Sequence, residues 1–154
     1  MSIVENVLYI CPMEKLSDIL FYNIDKAIRT YRMFAQKELR ANGFTITIDQ
    51  WLVIKAILEN PGIAQNELAE MVFKDTASVT RIIELLVKAG YLDRKTDPAD
   101  RRKTILTVKD EGISIIESVQ QLVLKNRDKA LNGIPTHDLE ITNQTLKQII
   151  KNVK

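Results

Sequence analysis

Residues 65–108 read QNELAEMVFKDTASVTRIIELLVKAGYLDRKTDPADRRKTILTV, and this stretch decides the fold. It opens with a short amphipathic segment, Gln65 to Val72, whose apolar side is Leu68, Ala69 and Val72. Phe73-Lys74-Asp75 makes a tight connection into a second helix, expected from about Thr76 to Ala89. Its stripe of Val79, Ile82, Ile83, Leu86 and Val87 has the three-and-four spacing of a buried helix face, and Gly90 is placed to close it. From Tyr91 the period changes. Tyr91–Lys95 and Lys103–Val108 read as two short strands around a polar, charged loop, Thr96 to Arg102, that contains Asp97-Pro98. Two short helices joined by a tight turn and followed at once by a hairpin with a basic tip form the winged helix-turn-helix pattern.

Upstream, Thr47 with Gln50 three places on has the form of a capping box, starting a helix over Asp49–Leu58 that ends at Asn60-Pro61-Gly62. Before it, Leu16, Ile19, Leu20, Ile24, Ala27, Ile28, Tyr31, Phe34, Ala35 and Leu39 predict one long amphipathic helix stopping at Asn42-Gly43. Downstream, Thr107 with Asp110 three places on is expected to cap a helix reaching about Leu131. Its stripe is Ile113, Ile116, Val119, Leu122, Val123 and Ala130. Asn132-Gly133-Ile134-Pro135 breaks the pattern, and a last helix from Thr136 or His137 brings Leu139, Leu146, Ile149, Ile150 and Val153 forward. The fold class is mainly α: a winged helix-turn-helix with long N- and C-terminal dimerisation helices. Residues 1–154 form one domain, with a DNA-binding core at about 47–108 and dimerisation helices at about 13–42 and 109–154. A first helix of roughly 24 residues would be roughly 36 Å long, more than so small a core can cover, so a twofold partner, a homodimer, is expected.

Composition sets the outer bounds. A chain of 154 residues with 45% apolar and 27% charged residues is one soluble globular domain, too apolar for disorder. No uncharged apolar run is long enough for a membrane span, and residues 1–12 lack the charge and cleavage pattern of a secretory signal, so a cytoplasmic protein without membrane partners is expected. The single cysteine, Cys11, has no intrachain partner, and one Cys with one His does not make a zinc site. With no Gly-rich phosphate loop and no nucleophile elbow, the chain is not expected to be an enzyme or to carry a cofactor or metal.

Net charge is only +2, so its distribution matters more than its size. Residues 74–109 hold nine basic and five acidic side chains, an excess of +4 that leaves −2 for the rest of the chain. The excess falls on the segment that would meet a phosphate backbone. A helix enters a major groove about 12 Å wide only where its outward face is small and polar near its start, and Thr76, Ala77, Ser78, Thr80 and Arg81 meet that requirement. Blander roles exist for several of these residues. Arg81 can pair with Glu84, Arg102 with Asp97 or Asp100, and Lys88, Arg94 and Lys95 suit ordinary solvated surfaces. Trp51, Tyr22 and Tyr31 fit a core as well as a ligand pocket, and His137 reads as a surface residue.

These residues together resemble the MarR family of winged-helix transcription factors. Asp100-Arg101-Arg102 followed by Lys103-Thr104-Ile105-Leu106-Thr107 is similar to the family's wing motif, and Glu111-Gly112 to the glycine-marked start of the helix after it. Gln65-Asn66-Glu67-Leu68-Ala69, Ser78-Val79-Thr80-Arg81 and Lys88-Ala89-Gly90-Tyr91-Leu92 also match, while Ala64 stands where a capping Thr is common. The resemblance implies that Thr76, Ser78, Thr80 and Arg81 face the major groove and that Arg102 enters the minor groove with Asp100 orienting its guanidinium. Arg101, Lys103, Arg94 and Lys95 would contact phosphates, and Lys88 is counted with the same DNA-binding set. It further implies a dimeric, sequence-specific regulator on a pseudo-palindromic operator in double-stranded DNA, with half-sites about one helical turn apart. Repression is the commoner outcome among similar proteins, relieved by a small aromatic effector held between the dimer helices and the winged domain. A winged-helix protein-interaction module without DNA binding is the alternative. Some relatives sense oxidants through an N-terminal cysteine, but Cys11 has no neighbouring base and reads as an incidental thiol.

Overall fold

The computed structural model describes residues 15–154; Cys11 and the segment 1–12 weighed above lie outside the described residues. Among the described residues a 3₁₀ turn at Leu16–Asp18 precedes six helices and one hairpin: α1 (Leu20–Ala41), α2 (Ile48–Glu59), α3 (Gln65–Met71), α4 (Thr76–Lys88), β1 (Leu92–Thr96), β2 (Thr104–Val108), α5 (Asp110–Leu131) and α6 (Thr136–Asn152). The winged helix-turn-helix architecture expected from the sequence is present. No helix among the described residues is long and apolar enough to cross a membrane.

Local chemistry explains most boundaries. The α2 start is the expected capping box, with the Thr47 hydroxyl accepting from the Gln50 amide at 3.2 Å and the Gln50 side chain accepting from the Thr47 amide at 2.9 Å. Two starts differ from expectation. The first long helix begins at Leu20, because Ile19 adopts an extended backbone (φ −74°, ψ 116°) that separates the Leu16 turn from α1. Helix α5 is not capped by Thr107, which is held in β2 opposite Asp93; Lys109 occupies the cap position without a side-chain hydrogen bond. Asp110 and Glu111 in the first turn of α5 face its positive dipole end instead.

The core runs through the centre of the winged unit and into both flanking helices. Val53, Ile54 and Ile57 of α2, Leu68 of α3, Val79, Ile83 and Leu86 of α4, Leu92 and Leu106 of the hairpin, and Val119 of α5 are all buried together. Ile82 packs partly against this cluster, whereas Val87, expected in the buried stripe, is exposed, since at 100° per residue it falls about 100° around the helix from Leu86. Only Ala35 and Leu39 of α1 are buried, and α6 buries no residue at all. The apolar stripes of both helices are therefore present but largely unpartnered within the chain: Leu20, Phe21 and Ile28 of α1 and Ile141 and Ile150 of α6 are exposed.

The hairpin pairs Leu92 with Val108, Arg94 with Leu106 and Thr96 with Thr104. Leu92 and Leu106 fall on the face that closes the core, and α5 leaves β2 directly beneath Tyr91. Gly112 makes that junction possible. A Cβ there would lie 2.4 Å from the Tyr91 carbonyl oxygen and 2.8 Å from Val108 Cγ1, so only glycine lets the helix lie this close.

Candidate nucleic-acid interface

Helix α4 is anchored at its start by Asp75, whose carboxylate accepts the Ser78 amide at 2.8 Å and the Ser78 hydroxyl at 2.6 Å. These bonds, the hydroxyl's first, hold the Asp75 carboxyl below the usual carboxylate range. The Thr80 hydroxyl donates to the Thr76 carbonyl at 2.8 Å and accepts from the Gln65 side-chain amide of α3. Thr80 thus fastens α3 to α4 rather than offering its hydroxyl outward. Ser78 and Thr80 are both half-buried.

What remains outward is sharply defined. Ala77, Arg81, Glu84 and Lys88 fall within about 60° of arc at 100° per residue, opposite the buried Val79, Ile83 and Leu86. All four are exposed, and Thr76 flanks them at the helix start. Arg81 and Lys88 make no ion pair among the described residues, so the Arg81–Glu84 pairing weighed from sequence is not formed. Glu84 is exposed on this stripe, as its spacing from the buried residues predicts.

The wing loop is built by aspartates acting on the backbone. Asp97 accepts the Ala99 amide at 2.8 Å, and Asp100 accepts the Arg102 amide at 3.0 Å. Asp100 does not orient the Arg102 guanidinium as expected, because its carboxylate is occupied in an Asx turn within the loop. Arg101, Arg102 and Lys103 are exposed and form no ion pair among the described residues. Arg94 is likewise exposed and unpaired. Lys95, by contrast, pairs with Asp93 at 2.8 Å, so here the ordinary surface reading holds. The Asp93 carboxylate raises the Lys95 pKa, and Lys95 in turn lowers that of Asp93.

A cleft of about 500 Å³ lies between the wing and the start of α3, with Arg102, Lys103 and Thr104 on one side and Ala64, Gln65 and Asn66 on the other. Gln65, which lines it, is the residue bonded to Thr80. The wing thus faces the start of α3, which Gln65 ties to α4 through Thr80. Helix α3 begins without a side-chain acceptor at Ala64, as expected, and Glu67 supplies the reciprocal half of the box by accepting the Ala64 amide at 3.2 Å.

Behind this surface, Asp49 of α2 holds two cations: Arg32 of α1 and, at 2.9 Å, Lys74 of the turn before α4. A second cavity of about 190 Å³ lies between α1, α2 and α5, bounded by Tyr31, Arg32, Trp51, Leu52, Val123 and Asn126. Asn126 is the buried polar residue of α5, and the Trp51 Nε1 hydrogen is buried without an acceptor. Trp51 and Tyr31 therefore bound a cavity, while Tyr22 does not and instead lies 5.8 Å beneath the Lys26 ammonium.

The fold and the basic, helix-and-wing surface define a winged helix-turn-helix protein. Residues 42–103 match the family model described as MarR family. The winged unit of the chain is thus similar to the MarR family. It is 28% identical over 98 residues to a candidate transcriptional regulatory protein for the hcr operon of Thauera aromatica, a match covering 64% of this chain and 58% of that one. The chain thus spans little more than half the length of that relative. It is also 28% identical over 104 residues to the HTH-type transcriptional regulator BilQ of Clostridium symbiosum, covering 68% and 71% of the two chains. Among solved structures it superposes on Bordetella bronchiseptica BpsR, whose DNA binding is regulated by 6-hydroxynicotinic acid, with a TM-score of 0.79 at 19% identity over 88% of this chain and 96% of that one.

Proposed function

We propose that the protein is a homodimeric transcriptional regulator that binds pseudo-palindromic duplex DNA, represses, and is released by a small aromatic effector. The observation that carries this reading is the set of exposed cations that form no ion pair among the described residues: Arg81 and Lys88 on the outward stripe of α4, and Arg101, Arg102 and Lys103 at the wing. Cations left unpaired at a helix face and a protruding loop are placed to displace counterions from phosphates, and an arginine at a loop tip suits a narrow, electronegative minor groove. A second copy supplies the cover that α1 and α6 lack and sets two reading helices about 34 Å apart on one side of a duplex.

The effector reading rests on the cavity bounded by Trp51. Its volume of about 190 Å³ suits a single aromatic ring, since about 150 Å³ holds benzene. The unpartnered indole N–H, Asn126 and Arg32 offer polar groups to a ring carrying an acceptor or a carboxylate. Because Trp51 is the only tryptophan in the chain, its fluorescence reports occupancy directly.

The test is anisotropy titration of a duplex selected from a random-sequence pool, at several salt concentrations. Arg102→Ala is expected to weaken binding and lower the slope of log K against log[salt] by about one per wing, and Arg81→Ala to weaken it with relaxed sequence preference. Salt-independent or absent duplex binding by the parent protein refutes the DNA reading and favours an interaction module. A panel of hydroxylated aromatic carboxylates that neither shifts Trp51 emission nor releases the duplex refutes effector control.

A further inference from the structure

Three helices end in the same hydrogen-bonded cap. In each, the residue two past the cap position donates to a carbonyl five residues back, and the residue before it donates three back. After α1 these donors are Phe44 to Leu39 and Gly43 to Arg40; after α4 they are Tyr91 to Leu86 and Gly90 to Val87; after α3 they are Lys74 to Ala69 and Phe73 to Glu70. The pivotal residue must take a left-handed backbone. At the first two ends it is glycine, with φ of 80° and 79°, and nothing lies within 4 Å of where a Cβ would stand, so backbone angle rather than space selects it. At the third it is Phe73, at φ 55°.

An aromatic side chain there stores strain that nothing in the fold offsets, because Phe73 is 91% exposed. The other two caps bring an aromatic residue onto the core at the following position, Phe44 and Tyr91, whereas here the following residue is Lys74, held by Asp49. The aromatic has moved to the outward position, three residues before Thr76. An exposed aromatic on a strained backbone, at the lip of the helix start proposed to enter the groove, has an apolar surface to meet on the flanking duplex.

We infer that Phe73 is a further DNA-contacting residue, laying its ring on deoxyribose or a thymine methyl at the edge of the major groove; this rests on the proposed function above. The contact is apolar and displaces no counterion, which separates it from every cation of the site. The adjacent cation, Lys74, is held by Asp49, and Glu70 and Asp75 are negative, so the ring itself must carry the contact.

The variants are Phe73→Gly and Phe73→Asn, both of which accommodate the left-handed backbone and keep the fold. Titrated against the duplex selected by the parent protein, each is expected to bind about five- to tenfold more weakly per half-site, with an unchanged salt slope and a thermal midpoint at or above the parent's. Unchanged affinity with a raised midpoint overturns the inference and leaves the DNA reading standing. A salt slope reduced by one or more also overturns it, because the ring would then be positioning a cation. If the parent itself shows no salt-dependent duplex binding, the DNA reading fails and this inference with it. Loss of self-association in Phe73→Gly by sedimentation would assign the ring to a second copy instead.

Discussion

Replacing Gly112 by alanine should cost stability even though alanine is the better helix former. The added Cβ would lie 2.4 Å from the Tyr91 carbonyl oxygen, and an ordinary contact needs that distance to open by nearly 1 Å. Tyr91 cannot yield cheaply, since its amide donates to Leu86 at 2.9 Å and its carbonyl accepts from Lys109 at 3.0 Å. The first turn of α5 must therefore move away, stretching the Lys109 bond. Overpacking costs about 1–3 kcal/mol and the weakened hydrogen bond about 1 kcal/mol, while alanine's propensity returns about 1 kcal/mol. The expected net loss is about 2 kcal/mol, or about 4–8 °C in Tm for a chain of this size. Urea unfolding followed by circular dichroism, at one fixed protein concentration because self-association shifts apparent stability, gives the value. Ser114→Ala, on the exposed side of the same turn, should change little and sets the baseline. A Gly112→Ala protein as stable as the parent would show that the β2–α5 junction is not close-packed as described.

Four other outcomes follow from the same geometry. Asp49→Asn leaves Arg32 and Lys74 competing for a neutral amide, and since all three side chains are about a third exposed the expected loss is about 1–2 kcal/mol, with a double-mutant cycle against Arg32→Gln showing coupling. Trp51→Phe removes an N–H that has no acceptor, so urea unfolding should register a change within about 1 kcal/mol; a loss above about 3 kcal/mol would mean the N–H is bonded. Ile141→Glu with Ile150→Glu should weaken self-association at least tenfold in sedimentation while the circular dichroism of the winged core persists, because both side chains are exposed on their own chain. The Asp75 carboxyl, lowered chiefly by the Ser78 hydroxyl, contributes stability that is present above the ordinary carboxylate pKa and is lost as pH falls through its folded value. Carbon-detected NMR should find its midpoint below the usual range and rising in Ser78→Ala.

What the sequence displayed and what it hid divide along a physical line. Most features settled close together in the chain were legible, among them the Thr47–Gln50 box, the glycine at position 90, the Leu92–Val108 hairpin and the departure at Ala64, whereas the Thr107 cap and the Leu16 start were not. Contacts that reach between elements were not. Thr80 looked like a groove-facing polar residue because periodicity places it off the buried stripe, yet Gln65, fifteen positions away, draws its hydroxyl into the α3–α4 contact. Asp100 looked like a partner for a guanidinium two residues on, but an aspartate in a tight loop finds a backbone amide before it finds a flexible side chain. The apolar stripes of α1 and α6 were read correctly as pattern and left without partners by a single chain, which is the outcome expected when half of an interface resides on another copy.

The Asp49 pairings carry this lesson furthest. Arg32 bounds the Trp51 cavity and also pairs with Asp49, so it is shared between the proposed effector site and the turn that launches α4. Lys74, on the other oxygen of Asp49, lies next to the Asp75 cap of that helix. One carboxylate balances two cations, so any ligand carboxylate reaching Arg32 competes with Asp49 for that guanidinium and leaves more of Asp49's charge to Lys74. The direction of that redistribution follows from charge alone: drawing Arg32 toward the cavity strengthens the Asp49–Lys74 pair and biases the turn before the reading helix. Arg32→Gln, which removes the Asp49 pair permanently, should therefore hold duplex affinity without effector near the effector-released value and make it insensitive to effector. If release persists in that variant, the signal travels through the packing of α1 against α5 instead.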